Sequence, residues 1–597
     1  MSNHKNLQKL SAAGLLISLG IIYGDIGTSP LYVFKAIVGD SIITTDLILG
    51  GLSCIFWTLT LQTTIKYVLI TLRADNKGEG GIFSLYSLVK RKAKWLTIPA
   101  MIGGCALLAD GIITPPFTVS SAIEGLIIVN PGLPTVPIVI AILTILFIIQ
   151  QFGTSLVGKA FGPIMFIWFG MMAVLGIVFV LQYPAILHSI NPYYAYKILV
   201  SSPSSFLILG AVFLCTTGAE ALYSDLGHCG RSNIQISWIY VKICLLLNYM
   251  GQGVWLLQHQ GTTLNGDNPF FQIMPSWFLI PGIAIATIAA IIASQALISG
   301  SFTLIAEAVR LNLWPKVRIN YPSDQKGQLY VPSINWLLWL GCLVVVFIFQ
   351  ESTKMEAAYG LSITLAMLMT TILLSVYLLR KKVPSYLVII FLTVYLIIEL
   401  TFLTGNLAKI MHGGWFTIVL GSILFSVMWA WSSARKIKNR FVKFVDIEEY
   451  YPIIKDLSED ETVPKLASQF FKRVENILEQ EGIKYSKDVV AAVITKHFPD
   501  HRRILNELQR YSISGTIDTG ILSNITDIQF ESLISSLKDK DFASTRKWVT
   551  ANLDNDPTKI YRKIYDSLYD VLTPSSVPQL VLILAKYQYQ SAFVADH

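Results

Sequence analysis

Apolar positions in this chain do not alternate with polar ones over most of its length; they run on. From Ser11 to Trp431, stretches of about twenty apolar residues follow one another with short polar islands between them, and a stretch of that length crosses a bilayer as a helix. The windows predict about twelve spans, near 11–38, 45–72, 98–128, 134–150, 160–183, 204–226, 234–258, 278–307, 332–350, 356–379, 384–404 and 413–432. From about Ser433 the pattern changes to the mixed polar and charged character of a soluble segment. The chain therefore reads as an all-α membrane body over 1–432 and a C-terminal region in the cytoplasm.

Charge placement tests the count. Lys5 and Lys9 precede the first span. Arg73, Lys77, Lys90, Arg91, Lys92 and Lys94 follow the second, Lys159 the fourth and Arg231 the sixth. Arg310, Lys316 and Arg318 follow the eighth, Arg380, Lys381 and Lys382 the tenth, and Arg435, Lys436, Lys438 and Arg440 the twelfth. With twelve spans every island lies on one side, and a wrong count scatters them. Basic loops stay inside, so both termini are expected in the cytoplasm of a multi-pass cytoplasmic-membrane protein. The opposite loops carry Asn130, Pro131, Gly132, Asn191, Pro192, Asn265 and Gly266, which form turns and bring little positive charge.

Composition agrees. Of 597 residues 53% are hydrophobic and only 14% charged, with a mean hydropathy of +0.56, well above the usual soluble range. The net charge of +8 is accounted for by basic loops, and nucleic acid is not an expected partner. Six cysteines occur with no CxxC pair and no metal-ligand spacing. Cys54, Cys105, Cys215, Cys244 and Cys342 sit in apolar stretches and read as small core residues. The first apolar segment is long and carries a polar motif, so it reads as retained rather than cleaved.

That motif is Tyr23-Gly24-Asp25-Ile26-Gly27-Thr28-Ser29-Pro30-Leu31-Tyr32. Gly24, Gly27 and Pro30 in one span predict a broken helix with a freed carbonyl. Non-helical backbone at membrane depth is tolerated in protein or around a wet cavity, and carbonyls, hydroxyls and a carboxylate together suit a partly dehydrated cation. The bland alternative is a proline kink with a paired aspartate; an intramembrane carboxylate favours function. In the third span Asp110, Thr114 and Thr118 recur every four residues and share a helix face, either lining an ion path or joining helices, with Pro115-Pro116 threatening the register. The sixth span holds Thr216-Thr217-Gly218-Ala219-Glu220, then Tyr223 and Asp225, a second interruption. Two interrupted spans five apart are the signature of inverted five-helix repeats. Glu307, Glu356 and Glu399 are further acids in apolar surroundings, with Glu307 placed to meet Arg310 and no role evident for the others. Ala74-Asp75-Asn76-Lys77-Gly78-Glu79-Gly80-Gly81 lacks the order of a phosphate-binding loop and reads as a cytoplasmic turn.

YGDIGTSPLY, ADNKGEGG, ADGIITP and TGAEALYSDLGH, in that order, resemble the KUP/HAK/KT potassium-uptake family over about 1–465. The resemblance implies a potassium–proton symporter with the amino acid–polyamine–organocation fold: inverted five-helix repeats plus two extra helices. It implies a potassium path lined by Asp25, Tyr32, Asp110, Thr114, Thr118, Thr217, Glu220 and Tyr359, with Asp25, Asp110 or Glu220 carrying the proton. No cofactor is implied, and the partners are potassium, protons, the bilayer and, as an open option, a second copy of the chain.

The residues after the linker 433–469 resemble something else. FFKRVENILEQEGI, then Pro499-Asp500-His501-Arg502-Arg503-Ile504-Leu505-Asn506-Glu507-Leu508-Gln509, then IDTGILSNI and LDNDPTKIYRKIYD, are similar to the lid and collar of a phage sliding-clamp-loader small subunit. There Arg502 would face nucleotide phosphates. No Walker A order exists in the chain, so ATP hydrolysis and enzymatic activity are not expected. The change of resemblance near Gln469 reads as a fused or mis-joined sequence, against a plain helical domain over 470–597. Rival functions are an amino-acid permease of the same fold, in which Asp25 would repel the substrate carboxylate, a channel, for which no TVGYG-like filter is present, and a replication-protein fragment defined by the tail.

Overall fold

The computed structural model describes residues 10–152, 158–202, 205–321, 329–441, 463–498, 500–512, 516–517, 530–551, 561, 564–565 and 576–591. Lys5, Lys9, Pro499 and much of the IDTGILSNI and LDNDPTKIYRKIYD runs lie outside them. Two compact units, 1–443 and 444–597, divide the chain.

Unit one is a helical membrane body. Among the described residues eleven helices are long and apolar enough to cross a bilayer, and a bent pair makes a twelfth span. The first ten begin and end within about four residues of the predicted windows, and the last runs on past its window to Phe441: Thr45–Arg73, Lys94–Val129, Thr135–Phe152, Ala160–Gln182, Ser205–Ser224, Arg231–Gln258, Leu279–Arg310, Pro332–Phe349, Ser352–Arg380, Ser385–Ala408 and Gly414–Phe441. The third span packs along the tenth and eighth, and the fifth along the seventh and first. The eleventh lies against the tenth and the first half of the sixth. The apolar cysteines, with Cys229, are all buried free thiols.

The first span is the bent pair, Ala12–Ile21 and Gly24–Leu31, meeting at 67°. The span is broken as Gly24, Gly27 and Pro30 together predict, and the bend falls at Ile22-Tyr23, next to the first of the three. Pro30 opens the tight turn Ser29–Leu31, where a missing N–H costs little. The sixth span breaks after Phe213 and the turn Leu214–Thr216: Thr217 is extended and Gly218 is left-handed at φ +80° before the helix resumes at Ala219. Each interrupted span opens a run of five, and because successive spans cross in alternate directions, the sixth runs opposite to the first.

Pro115 and Pro116 do not disturb the third span, whose helix is continuous over Thr97–Ile123. Pro116 cannot donate to the carbonyl of Ile112; the thiol of Cys342, on the ninth span, does so at 3.3 Å.

A second departure from expectation lies in the second span. Thr45–Thr58 is α-helical, but Leu59–Ile70 is wound as a π-helix with i→i+5 bonding. Four polar side chains of this stretch, Gln62, Thr63, Lys66 and Tyr67, face inward and are fully buried.

In unit two Val463–Gln480, Lys487–His497 and His501–Ser512 pack around Val474, Leu478, Val490, Val493, Ile504 and Leu508. Lys484–Tyr485 and Thr516–Ile517 add a short parallel strand pair. Helix Val463–Gln480 runs through the expected join at Gln469 without interruption.

Candidate functional site

The two chain breaks face each other. A Cβ placed on Gly218 would lie 2.7 Å from the backbone nitrogen of Ile26 and 3.0 Å from the Cβ of Asp25. Glycine serves two needs here, the positive φ and the close approach of the first-span backbone. Tyr32 Oη lies 3.1 Å from Thr217 Oγ1. The Thr217 hydroxyl donates its proton to Leu214 O at 2.9 Å, so Tyr32 is the donor between the two spans.

Tyr359, on the tenth span, donates to Asp25 Oδ1 at 2.8 Å. Asp25 Oδ2 is buried and meets no donor among the described residues. On the third span Thr114 donates to Asp110 Oδ1 at 2.7 Å, and Thr118 donates to Thr114 O, so the predicted stripe of Asp110, Thr114 and Thr118 is one continuous face. Phe117, on the same helix as Asp110 and Thr114, packs against Tyr32 and Tyr359, which brings the third span to the first break. The eight residues singled out from the sequence are all buried, at 0–5% exposure.

Backbone carbonyls in the second half of the first span each accept one hydrogen bond from a protein donor, which leaves a second lone pair on each. Trp168 donates to Gly27 O at 3.0 Å, Gln252 to Pro30 O at 3.1 Å and Asn268 to Leu31 O at 2.7 Å. Thr28 and Ser29 turn back onto Asp25 O and Ile26 O.

Phe117 was not legible as a site residue. Its ring centroid lies 4.5 Å from that of Tyr32 and 4.8 Å from that of Tyr359, so three aromatic rings pack beside the carboxylates. Its position one residue before Thr118, on a helix read only for polar groups, gave no signal.

Glu220 belongs to a different cluster from Asp25. Its carboxylate accepts from Tyr67 Oη and, at 2.8 Å, from Thr370 Oγ1. Next to it is an ion pair the sequence reading missed. Lys66 Nζ lies 2.5 Å from Glu399 Oε1 and donates to Met367 O at 3.0 Å; both side chains of the pair are fully buried. Thr371, beside Thr370, donates to Glu399 Oε1 at 2.9 Å. The signal was present: Lys66 is a lone lysine inside the apolar window 45–72, and an intramembrane cation predicts an intramembrane acid.

The other acids have partners or none. Glu356 pairs with Lys409. Glu124 accepts from the Ser352 amide and hydroxyl at 2.7 and 2.6 Å and lies 3.5 Å from Lys35. Glu307 is half-buried, and no ion pair joins it to Arg310 within 4.0 Å among the described residues.

A family model described as the K+ potassium transporter integral membrane domain matches residues 12–436. The chain belongs to that family. A curated relative from Cytophaga hutchinsonii, named "Probable potassium transport system protein Kup", is 62% identical over 472 residues, covering 78% of this chain and 72% of the relative. One with the same name from Clostridium perfringens strain SM101 is 52% identical over 485 residues, covering 78% and 74%. A solved manganese transporter from Eremococcus coleocola superposes at a TM-score of 0.39 with 12% identity, over 74% of this chain and 97% of that one, a likeness too loose to support an inference. In the tail, residues 464–523 are similar to the AAA+ ATPase lid of a sliding-clamp-loader large subunit. The similarity thus names the large rather than the small subunit, covers a lid, and starts slightly before the expected join.

Proposed function

We propose that this member of the K+ transporter family carries potassium ions inward across the cytoplasmic membrane together with protons, by alternating access, with both termini in the cytoplasm. The observation that carries the reading is the meeting of the two broken spans around Asp25. Around that contact lie a buried carboxylate with an oxygen unpartnered among the described residues, a second buried carboxylate and the hydroxyls of Tyr32, Thr114, Thr217 and Tyr359. Relatives named for potassium transport support the choice of ion.

In this reading Asp25 and Asp110 supply the negative charge that offsets a dehydrated cation, and Tyr32, Thr114, Thr118, Thr217 and Tyr359 supply neutral oxygens. Burial of the site residues supports an occluded stage, and separation of the two breaks would open the site to either side. An inward potassium ion gains about 2.3 kcal/mol per 100 mV of negative-inside potential. A proton gains the same and about 1.4 kcal/mol more per pH unit. Coupling therefore lets uptake continue when external potassium is scarce. The test is rubidium uptake in a potassium-uptake-deficient cell. Uptake that potassium competes and a proton uncoupler suppresses is expected; uptake of amino acids in its place supports the permease reading.

Two further outcomes are expected. Because the proton is a co-substrate, wild-type uptake rises as external pH falls. Glu220→Gln keeps the shape of its carboxyl but cannot take a proton, so its uptake should lose most of that pH sensitivity. An equally pH-sensitive mutant removes Glu220 from the coupling. Cutting the chain after Gln469 should leave rubidium uptake within about twofold of the intact chain, since every residue assigned here to the potassium site or to proton coupling precedes Val463 and the tail's similarity is to part of a different machine. Loss of uptake at equal membrane abundance makes the tail a working regulatory domain.

A further inference from the structure

The π-helical turn of the second span sets two side chains into the protein side by side. Tyr67 reaches Glu220 on the sixth span, and Lys66 reaches Glu399 on the eleventh. Lys66 Nζ sits 4.8 Å from the centroid of the Tyr67 ring. Neighbouring threonines of the tenth span, Thr370 and Thr371, donate one to each acid. Glu220, Lys66 and Glu399 therefore form one charge cluster drawn from three spans, tied by Tyr67 on one side and by Thr370-Thr371 on the other. The remaining titratable groups facing it are Tyr223 on the sixth span and Tyr395 on the eleventh, neither of which carries a charge near neutrality. Glu399 Oε2 is buried without a hydrogen bond; the Gln62 amide stands beside it but outside bonding geometry.

Resting on the symport reading, we propose that Glu220, Lys66 and Glu399 together form the one-proton site of the transporter, with Lys66 as its built-in counter-ion. The argument is a charge count. Two carboxylates and one ammonium sum to a single net negative charge. An uncompensated charge buried in a membrane protein is strongly disfavoured, so this cluster is neutral when it holds one proton. The proton comes from water on the outer side, is held on a carboxylate oxygen of Glu220 or Glu399, and leaves to water on the inner side. No other bond is made or broken. The Asp25–Asp110 region has no fixed cation among its described neighbours, so it draws its positive charge from the transported potassium. Proton and potassium are thereby assigned to separate clusters, joined by the short helix Ala219–Ser224, whose first turn carries Glu220 directly after Gly218. Lys66 is a positioning residue in this scheme: it touches Glu399 and fixes how many protons the cluster needs.

The experiment follows rubidium uptake into proteoliposomes at fixed membrane potential, with external pH varied from about 5.5 to 7.5 and intact chain inserted. Up to a tenfold change per pH unit is available to a one-proton step. Glu220→Gln and Glu399→Gln each leave a neutral cluster without a proton, so uptake should become flat with pH, within about twofold, and no longer carry protons inward. Adding Lys66→Met to Glu220→Gln leaves Glu399 as a single acid and should restore the pH dependence. A purely structural Lys66–Glu399 pair predicts the opposite: the second change lowers abundance further and leaves the profile flat. That result overturns the proposal, as does a Glu399→Gln protein whose pH profile matches wild type. Where Glu399→Gln does not insert, Lys66→Met/Glu399→Gln serves; it leaves Glu220 alone, and a flat profile in that protein overturns the proposal too. Wild type separates the underlying reading: no rubidium uptake removes the potassium assignment, and pH-independent wild-type uptake removes symport, whatever the variants do.

Discussion

Asp25→Asn is expected to abolish rubidium uptake while the protein still inserts at normal abundance. The amide keeps the size of the carboxyl and can still accept from Tyr359, so the hydrogen bond at 2.8 Å survives and the break keeps its shape. What goes is the charge. A dehydrated cation in a closed site needs a nearby negative group, and removing one partner of a buried charge pair costs about 3 kcal/mol or more. That corresponds to a loss of about a hundredfold in occupancy at a given potassium concentration. The change also turns an acceptor into a donor on the side where Oδ2 has no hydrogen-bond partner, placing an N–H where the cation would sit. Uptake by isotope flux, normalised to membrane abundance, measures this directly; wild-type flux in a normally inserted mutant removes Asp25 from the site.

Gly218→Ala should lose more than about tenfold of uptake for a different reason, and it tests the geometry rather than the charge. Alanine at φ +80° costs about 1–2 kcal/mol. Its Cβ would also stand 2.7 Å from the Ile26 nitrogen, which is backbone and cannot swing away. The two breaks would have to separate by several tenths of an ångström, moving Thr217 off Tyr32 and opening the contact that closes the site. Gly261→Ala is the control. Gly261 has nearly the same φ, +81°, but open space around it. Strain alone would affect both substitutions alike, so uptake retained in Gly261→Ala and lost in Gly218→Ala isolates the contact between the breaks. Equal loss in both contradicts it.

The sequence was informative where physics is local. A membrane span is set by its own run of apolar residues, so the windows and basic islands located every span, and all ends but those of the first and last within a few residues. Asp25, Asp110, Thr114 and Thr118 were legible because polar groups in such runs are rare, and the fourfold spacing on the third span survived two prolines. Residues whose meaning depends on a distant partner were not legible. Lys66 and Glu399 lie 333 residues apart, and neither alone says which partner it finds. Glu220 was read beside Asp25 because they share the broken-span motif, whereas its partners come from the second and tenth spans. The π-helical winding that turns Lys66 and Tyr67 inward leaves no mark in hydropathy. That Trp168, Gln252 and Asn268 donate to the carbonyls of Gly27, Pro30 and Leu31 was not legible either, because these donors come from later parts of the chain.

The central claim, coupled movement of potassium and protons through one protein, is tested most directly by reconstituting the intact chain in proteoliposomes with the membrane potential clamped near zero and an inward proton gradient imposed. The account predicts that rubidium accumulates against its own gradient, that excess potassium competes with it, and that an internal pH dye reports acidification only when rubidium or potassium is present outside. Rubidium that merely equilibrates, with no change when the proton gradient is removed, would contradict it.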